Sequence, residues 1–338
     1  MKKRNYSIDL LKLYFALLIA VGHTPFPSTL PKIASGYIVV LFFILSGYYL
    51  VCSFDSGKYA DPWQYTLGRV KRIWPYYAVA FVIMYLYMNI TPETGLRSLV
   101  LEFFRSLPEL FMLQSTGIFD GGINYPLWQL CTLVIASHIF FSLLHWNRQV
   151  TLNTICPVTA LLTYTYYIQV TEETALPFVY LPLARAAGAL AMGMFLHRPI
   201  RMVVRKLESS RARCMPGVVS AASIFCLLLL WTNRMEYDLV IPFTAFLVCV
   251  LYSGSFWSRW FTHPVLGCLD KLSLGIYLNH ALIVRIIEKH PGVTAAVSFL
   301  PEDVTFLAIV VVYTLVMMKA VDLLLAWGGK MCKREAAV

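Results

Sequence analysis

Ten successive apolar runs, each close to the length that crosses a bilayer, constrain this chain more than any other feature. They fall at 8–24, 35–52, 72–90, 126–145, 151–169, 179–197, 215–232, 239–256, 266–287 and 304–327. A segment in lipid must satisfy its own backbone hydrogen bonds, which leaves helices and closed barrels. Barrel strands would show about ten residues of alternating polarity, whereas these runs suit helices of about 20 residues. The predicted fold class is therefore all-α, a polytopic integral membrane protein with about ten transmembrane helices. The composition agrees, since 14% of residues are charged against about 25% in soluble domains. Spans and short connectors leave no room for a sizeable soluble domain. No internal repeat, low-complexity tract or long linker divides the chain, so residues 1–338 are predicted to form a single membrane domain.

The net charge of +10 does not point to nucleic acid, because Lys and Arg collect on the cytoplasmic side of membrane chains for reasons of insertion. With the N-terminus inside, the inner segments hold 19 of the 28 Lys and Arg and the outer ones five, while Lys12, Arg185, Arg285 and Lys319 lie within spans. Acids go the other way, with 11 of 18 outside. Both termini are thus expected in the cytoplasm, and the N-terminal Met-Lys-Lys-Arg run is expected to lead into a retained first helix rather than a cleaved signal. The apolar stretch 99–115 is interrupted by Glu102, Arg105 and Glu109 and carries Pro108. Counting it as a span would place the six cations of 198–213 outside, so it is expected to be interfacial or re-entrant. The eight cysteines show no CxxC pair, which predicts neither a disulfide framework nor a zinc site.

Ionisable groups inside the apolar runs are costly, about 2.5–3.5 kcal/mol for a cation at a helix centre on insertion scales. The first span holds three. Asp9 and Lys12 share a helical face at a spacing of three. Lys12 and His23 are eleven apart, about three turns, and share a face about 16 Å apart along the axis. A helix-end ion pair and an interfacial histidine would explain this span equally well. Arg69 and Arg72 lie on one face where the third span opens, a place where insertion bias also puts basic residues. Ser46-Gly47 in the second span is a small pair that lets another helix approach. Trp128 begins the fourth span as an interfacial aromatic, and the ninth carries Ser273, Tyr277 and His280. No HExxH, GxGxxG, P-loop or GxSxG element is present, and no metal set is expected. The basic loop 197–213 reads as an anchor on acidic headgroups, with a contribution to an anionic cytosolic ligand as the other reading.

Taken in order, these elements resemble membrane acyltransferase family 3, the bacterial O-acyltransferases that modify surface glycans. The matching positions are Asp9, Lys12 and His23 in the first span and Phe42 to Tyr48 in the second. Arg69, Arg72, Trp74 and Pro75 follow in the third, and Ser273, Tyr277, Leu278 and His280 in the ninth. Two departures stand out. Lys12 replaces the usual Arg, supplying charge without a planar fork, and Leu133 stands where many members have a glutamate after the Asn-x-x-Leu-Trp element. The resemblance implies an enzyme of the bacterial inner membrane that takes an acyl group, acetyl by default, from cytosolic acetyl-CoA or another acyl-CoA. The implied acceptor is a hydroxyl of an extracytoplasmic polysaccharide or its lipid-linked precursor, with no nucleic acid partner and no metal. On this reading Lys12, Arg69 and Arg72 hold the nucleotide phosphates while the pantetheine arm carries the thioester toward His23. His23 acts as general base, His280 binds the acceptor or stabilises developing charge, and Asp9 pairs with Lys12 or Arg69. A transporter or flippase of a glycan precursor is the competing class, with Arg185 as its substrate contact. Release of free CoA thiol distinguishes the two.

Overall fold

A computed structural model of the chain describes residues 6–27, 35–117, 119, 122–169, 180–209, 215–231, 240–253, 262–290, 292–295 and 300–335. It is 86% helical, with no strands among the described residues. The helices are α1 (Ser7–Gly22), α2 (Ser35–Asp55), α3 (Pro62–Asn89), α4 (Leu96–Leu110), α5 (Trp128–Val150) and α6 (Cys156–Gln169). They continue as α7 (Leu181–Ser209), α8 (Met215–Trp231), α9 (Val240–Ser253), α10 (Cys268–Lys289), α11 (Gly292–Ala295) and α12 (Glu302–Glu335). By length and composition Gly36–Asp55, Tyr125–Thr163 and Glu302–Trp327 are long and apolar enough to cross a membrane, with shorter apolar helices at Gly217–Cys226 and Ile241–Leu251. The ten-helix expectation is compatible with this set. The basic N-terminal run, the connectors 170–179, 232–239 and 254–261, residues 210–213 of the basic loop and the last three residues lie outside the described residues.

Two boundaries differ from the sequence expectation, each for a local reason. The third helix begins at Pro62 rather than near residue 72, because Asp61 caps it by accepting from the Gln64 amide at 2.9 Å and Pro62 stands at its first turn. Arg69, Lys71 and Arg72 are thereby helical. The run Tyr125–Thr163 is helical nearly throughout, yet it is two segments. Asn147 leaves helical geometry with φ −158° and ψ 102°, and its side chain accepts from the Val150 amide at 3.0 Å to restart the helix.

The stretch 99–115 falls on helix α4 and the turn after it. Tyr85 donates its hydroxyl to the Leu99 carbonyl, Tyr77 donates to the Glu109 carbonyl at 2.7 Å, and Trp74 Nε1 donates to the Leu110 carbonyl at 3.2 Å. The segment therefore runs antiparallel to α3 over eleven residues of each helix, about 16 Å, before the chain turns back. That is the geometry of a re-entrant segment rather than of a helix lying flat. At the turn Met112 and Ser115 adopt positive φ, 59° and 53°, a conformation uncommon outside glycine.

The small pair in α2 does what its residue types suggest. A Cβ at Gly47 would stand 2.0 Å from the Leu190 carbonyl oxygen, and one at Gly193 of α7 would stand 1.8 Å from the Ile44 carbonyl oxygen. Each glycine thus admits the backbone of the other helix. Overpacking a well-filled contact typically costs about 1–3 kcal/mol. Gly47→Ala is expected to lower the melting temperature of the detergent-solubilised protein by that mechanism. Gly36→Ala, with nothing within 4 Å, is expected to leave it unchanged.

Candidate functional site

The site is built on the contact between α1 and α10. Ala16 and Ala20 on α1 are buried and cluster with Ile276 and Ile283 of α10, and small residues at such a seam allow close approach. The two helices run parallel, since Lys12 meets Asp270 near one end and His23 meets His280 near the other. The eleven-residue interval on α1 and the ten-residue interval on α10 have nearly equal rise, so both pairs form together.

At the first end the Lys12 ammonium lies 2.8 Å from Asp270 and 3.5 Å from Asp9. Arg72 of α3 reaches the other Asp270 oxygen at 2.8 Å. Asp9 is fully buried, whereas the Arg72 side chain is 68% exposed. Asp270 therefore bridges the two cations and offsets much of their charge. Arg69 goes elsewhere. Its guanidinium donates to the Tyr65 hydroxyl at 2.6 Å and to Ser137 of α5 at 3.4 Å, so of the three cations expected to act together only Lys12 and Arg72 converge.

A cavity of about 130 Å³ opens beside this cluster. Lys12, Arg72 and Asp270 line one part of it, and Ser46, Gln129 and Tyr277 supply further polar groups. Leu133, at the position where a glutamate was noted as usual, also lines it. The Gln129 side-chain oxygen is buried and has no hydrogen-bond partner among the described residues.

The histidines lie one turn beyond Tyr277. Their ring centroids are 5.2 Å apart. His23 Nδ1 contacts the Ile19 carbonyl at 2.8 Å, and His280 Nδ1 contacts the Tyr277 carbonyl at 2.9 Å and the Ile276 carbonyl at 3.2 Å. A carbonyl only accepts, so each Nδ1 must carry a proton, and in the neutral form each ring presents its lone pair at Nε2. His280 is fully buried and its Nε2 has no partner among the described residues. His23 is partly exposed. The arrangement holds two imidazoles in a defined tautomer with their basic nitrogens available.

The wall beside them comes from the segment that follows the re-entrant helix. Tyr277 donates its hydroxyl to the Pro126 carbonyl, and Asn124 Nδ2 donates to the Leu278 carbonyl at 3.0 Å. Tyr125 packs 5.4 Å from the His23 ring. Glu109, fully buried, accepts from the Ile123 and Asn124 amides at 2.7 and 2.9 Å. Trp128 lies under the Arg185 guanidinium at 5.9 Å and 6.3 Å from Phe43, which joins the two expected residues to each other and sets them against α2.

Sequence reasoning missed Asp270, Glu109 and Gln129. A signal existed for the first, because positions 270, 273, 277 and 280 repeat at three and four residues and form one stripe of α10. Glu109 was read as an interruption of an apolar run, and no local pattern marks it as a ligand for amides fourteen residues away. Replacing Glu109 with Gln leaves one buried amide without a carboxylate acceptor. Such losses cost about 1–3 kcal/mol, so Glu109→Gln is expected to lower the melting temperature, and an unaltered value would show that the carboxylate does not hold the 123–124 segment.

A family model described as an acyltransferase domain, acyltransferase family 3, matches residues 5–322. No curated protein and no solved structure matches the chain.

Proposed function

The chain belongs to that acyltransferase family, and from this premise we propose that it moves an acyl group from a cytosolic acyl-CoA to a hydroxyl of an extracytoplasmic glycan or its lipid-linked precursor. Acetyl is the default acyl group. The protein then sits in the bacterial cytoplasmic membrane with both termini inside, as the charge asymmetry of its connectors suggests.

The observation that carries this reading is the His23 and His280 pair at the far end of the stripe that begins with Lys12. Donor phosphates bind at the mouth formed by Lys12 and Arg72, and the pantetheine arm extends along the cavity. The unpartnered Gln129 oxygen suits an amide N–H of that arm. His23, the more exposed of the two imidazoles, takes the proton of the acceptor hydroxyl at Nε2. The acceptor oxygen bonds the acyl carbon as the thioester C–S bond breaks, and the proton passes from His23 to the departing thiolate. The products are an ester and free CoA thiol. His280 accepts a hydrogen bond from the acceptor at its buried Nε2.

In membranes supplied with labelled acetyl-CoA and acceptor, His23→Ala is expected to abolish label transfer at unchanged protein level, and retained transfer would remove His23 from the mechanism. Arg72→Ala is expected to raise the half-saturating acyl-CoA concentration severalfold. Arg69→Ala, directed at Tyr65 and Ser137, is expected to leave it near the wild-type value. Equal effects of the two would break the assignment of the mouth.

A further inference from the structure

Where α2, α5 and α7 come together near their C-terminal ends lies a second cavity, of about 800 Å³. Its ionisable lining consists of Asp55, Arg148, His197, Arg198, Arg201 and Arg205. Arg148 places Nε and an Nη on the two oxygens of Asp55 at 2.8 and 2.9 Å. This bidentate pair occupies the only carboxylate that the described residues contribute to the lining. Arg198, Arg201 and Arg205 recur at intervals of three and four and so share one face of α7. All three are exposed, and among the described residues no carboxylate comes within ion-pair distance of them. Like charges at this spacing repel. Insertion bias accounts for basic residues in this part of the chain, but not for their convergence on one concave surface whose acid is already engaged.

The same lining carries apolar surface. Phe195 and Met202 are 42% and 55% exposed and face the cavity beside the arginines. We propose that this cavity seats a net-anionic phosphate-bearing ligand, with phosphate oxygens on Arg198, Arg201 and Arg205 and its remaining, less polar part over Phe195 and Met202. Guanidinium forks match phosphate oxygens in geometry and charge, and the volume exceeds what a bare phosphate fills. An acidic phospholipid headgroup and a soluble nucleotide phosphate present the same chemistry. The proposal does not rest on the transfer reaction, and its test reads binding rather than turnover.

The test uses the full chain purified in neutral detergent and records its melting temperature against increasing phosphatidylglycerol, phosphatidylcholine or ADP. Each titration is repeated on Arg201→Gln/Arg205→Gln, whose exposed positions make the unliganded fold tolerant of change. The expected result is a rise of several degrees with phosphatidylglycerol or ADP and none with phosphatidylcholine. The double variant is expected to need at least about tenfold more of the same probe for an equal rise. A rise with phosphatidylglycerol alone assigns the phosphate to a lipid headgroup, and a rise with ADP assigns it to a soluble nucleotide. If the double variant melts lower without any probe, Arg201→Gln alone is read by direct equilibrium binding of the same probes. No rise with either net-anionic probe, phosphatidylglycerol or ADP, an equal rise with phosphatidylcholine, whose phosphate is neutralised by its own choline, or an unchanged titration in the arginine variants would overturn the proposal.

Discussion

The parallel packing of α1 against α10 positions nearly every polar group in the candidate site. Two helices of equal rise, brought close by Ala16 and Ala20, keep their side chains in step along the seam. Lys12 can therefore meet Asp270 only if His23 meets His280 as well. This coupling matters because each group is costly in an apolar bundle when left alone. The ammonium is offset by two carboxylates, and each imidazole discharges its N–H onto a carbonyl of its own helix. What remains is a pair of ring nitrogens with lone pairs not engaged by the helix backbone, one on the partly exposed His23 and one on the fully buried His280.

The re-entrant segment completes the site from the other side. Its descent along α3 is held by three aromatic donors, Trp74, Tyr77 and Tyr85. The returning chain is then tied to Glu109 and, through Asn124 and Pro126, to the backbone and Tyr277 of α10. A polar loop inside an apolar bundle is tolerated only where its backbone is satisfied by protein, and these bonds supply that satisfaction. The close contact of α2 and α7 through Gly47 and Gly193 brings Ser46 and Trp128 to their places and also sets the C-terminal part of α7 beside Asp55.

Charge is treated differently at the two cationic regions. At the seam a single aspartate bridges cations from two helices, so the cluster is compact and close to neutral. At the end of α7 the arginines outnumber the acid, and the excess faces a cavity. Like-charge repulsion held in a concave surface is relieved by a bound anion or by solvent, and the neighbouring apolar side chains favour a ligand that is not anion alone.

Much of the architecture was readable from chain properties that act locally. Lipid forbids unsatisfied backbone, so the apolar runs had to be helices. A helix carries its own geometry, which placed Lys12 and His23 on one stripe before any fold was known. Ser46-Gly47 read correctly as an approach point because the residue sizes alone carry that property. The family resemblance gathered His23 and His280 into one site, and the structure set their rings side by side. Other features depend on partners far away in sequence, where periodicity is silent. Packing turned Arg69 toward Tyr65 and Ser137, set Asp270 between Lys12 and Arg72, and buried Glu109 under two amides. Helix periodicity specifies which side chains share a face, but the neighbour that the face meets is set by the assembled bundle, and a charge reveals its task only when that neighbour is in place.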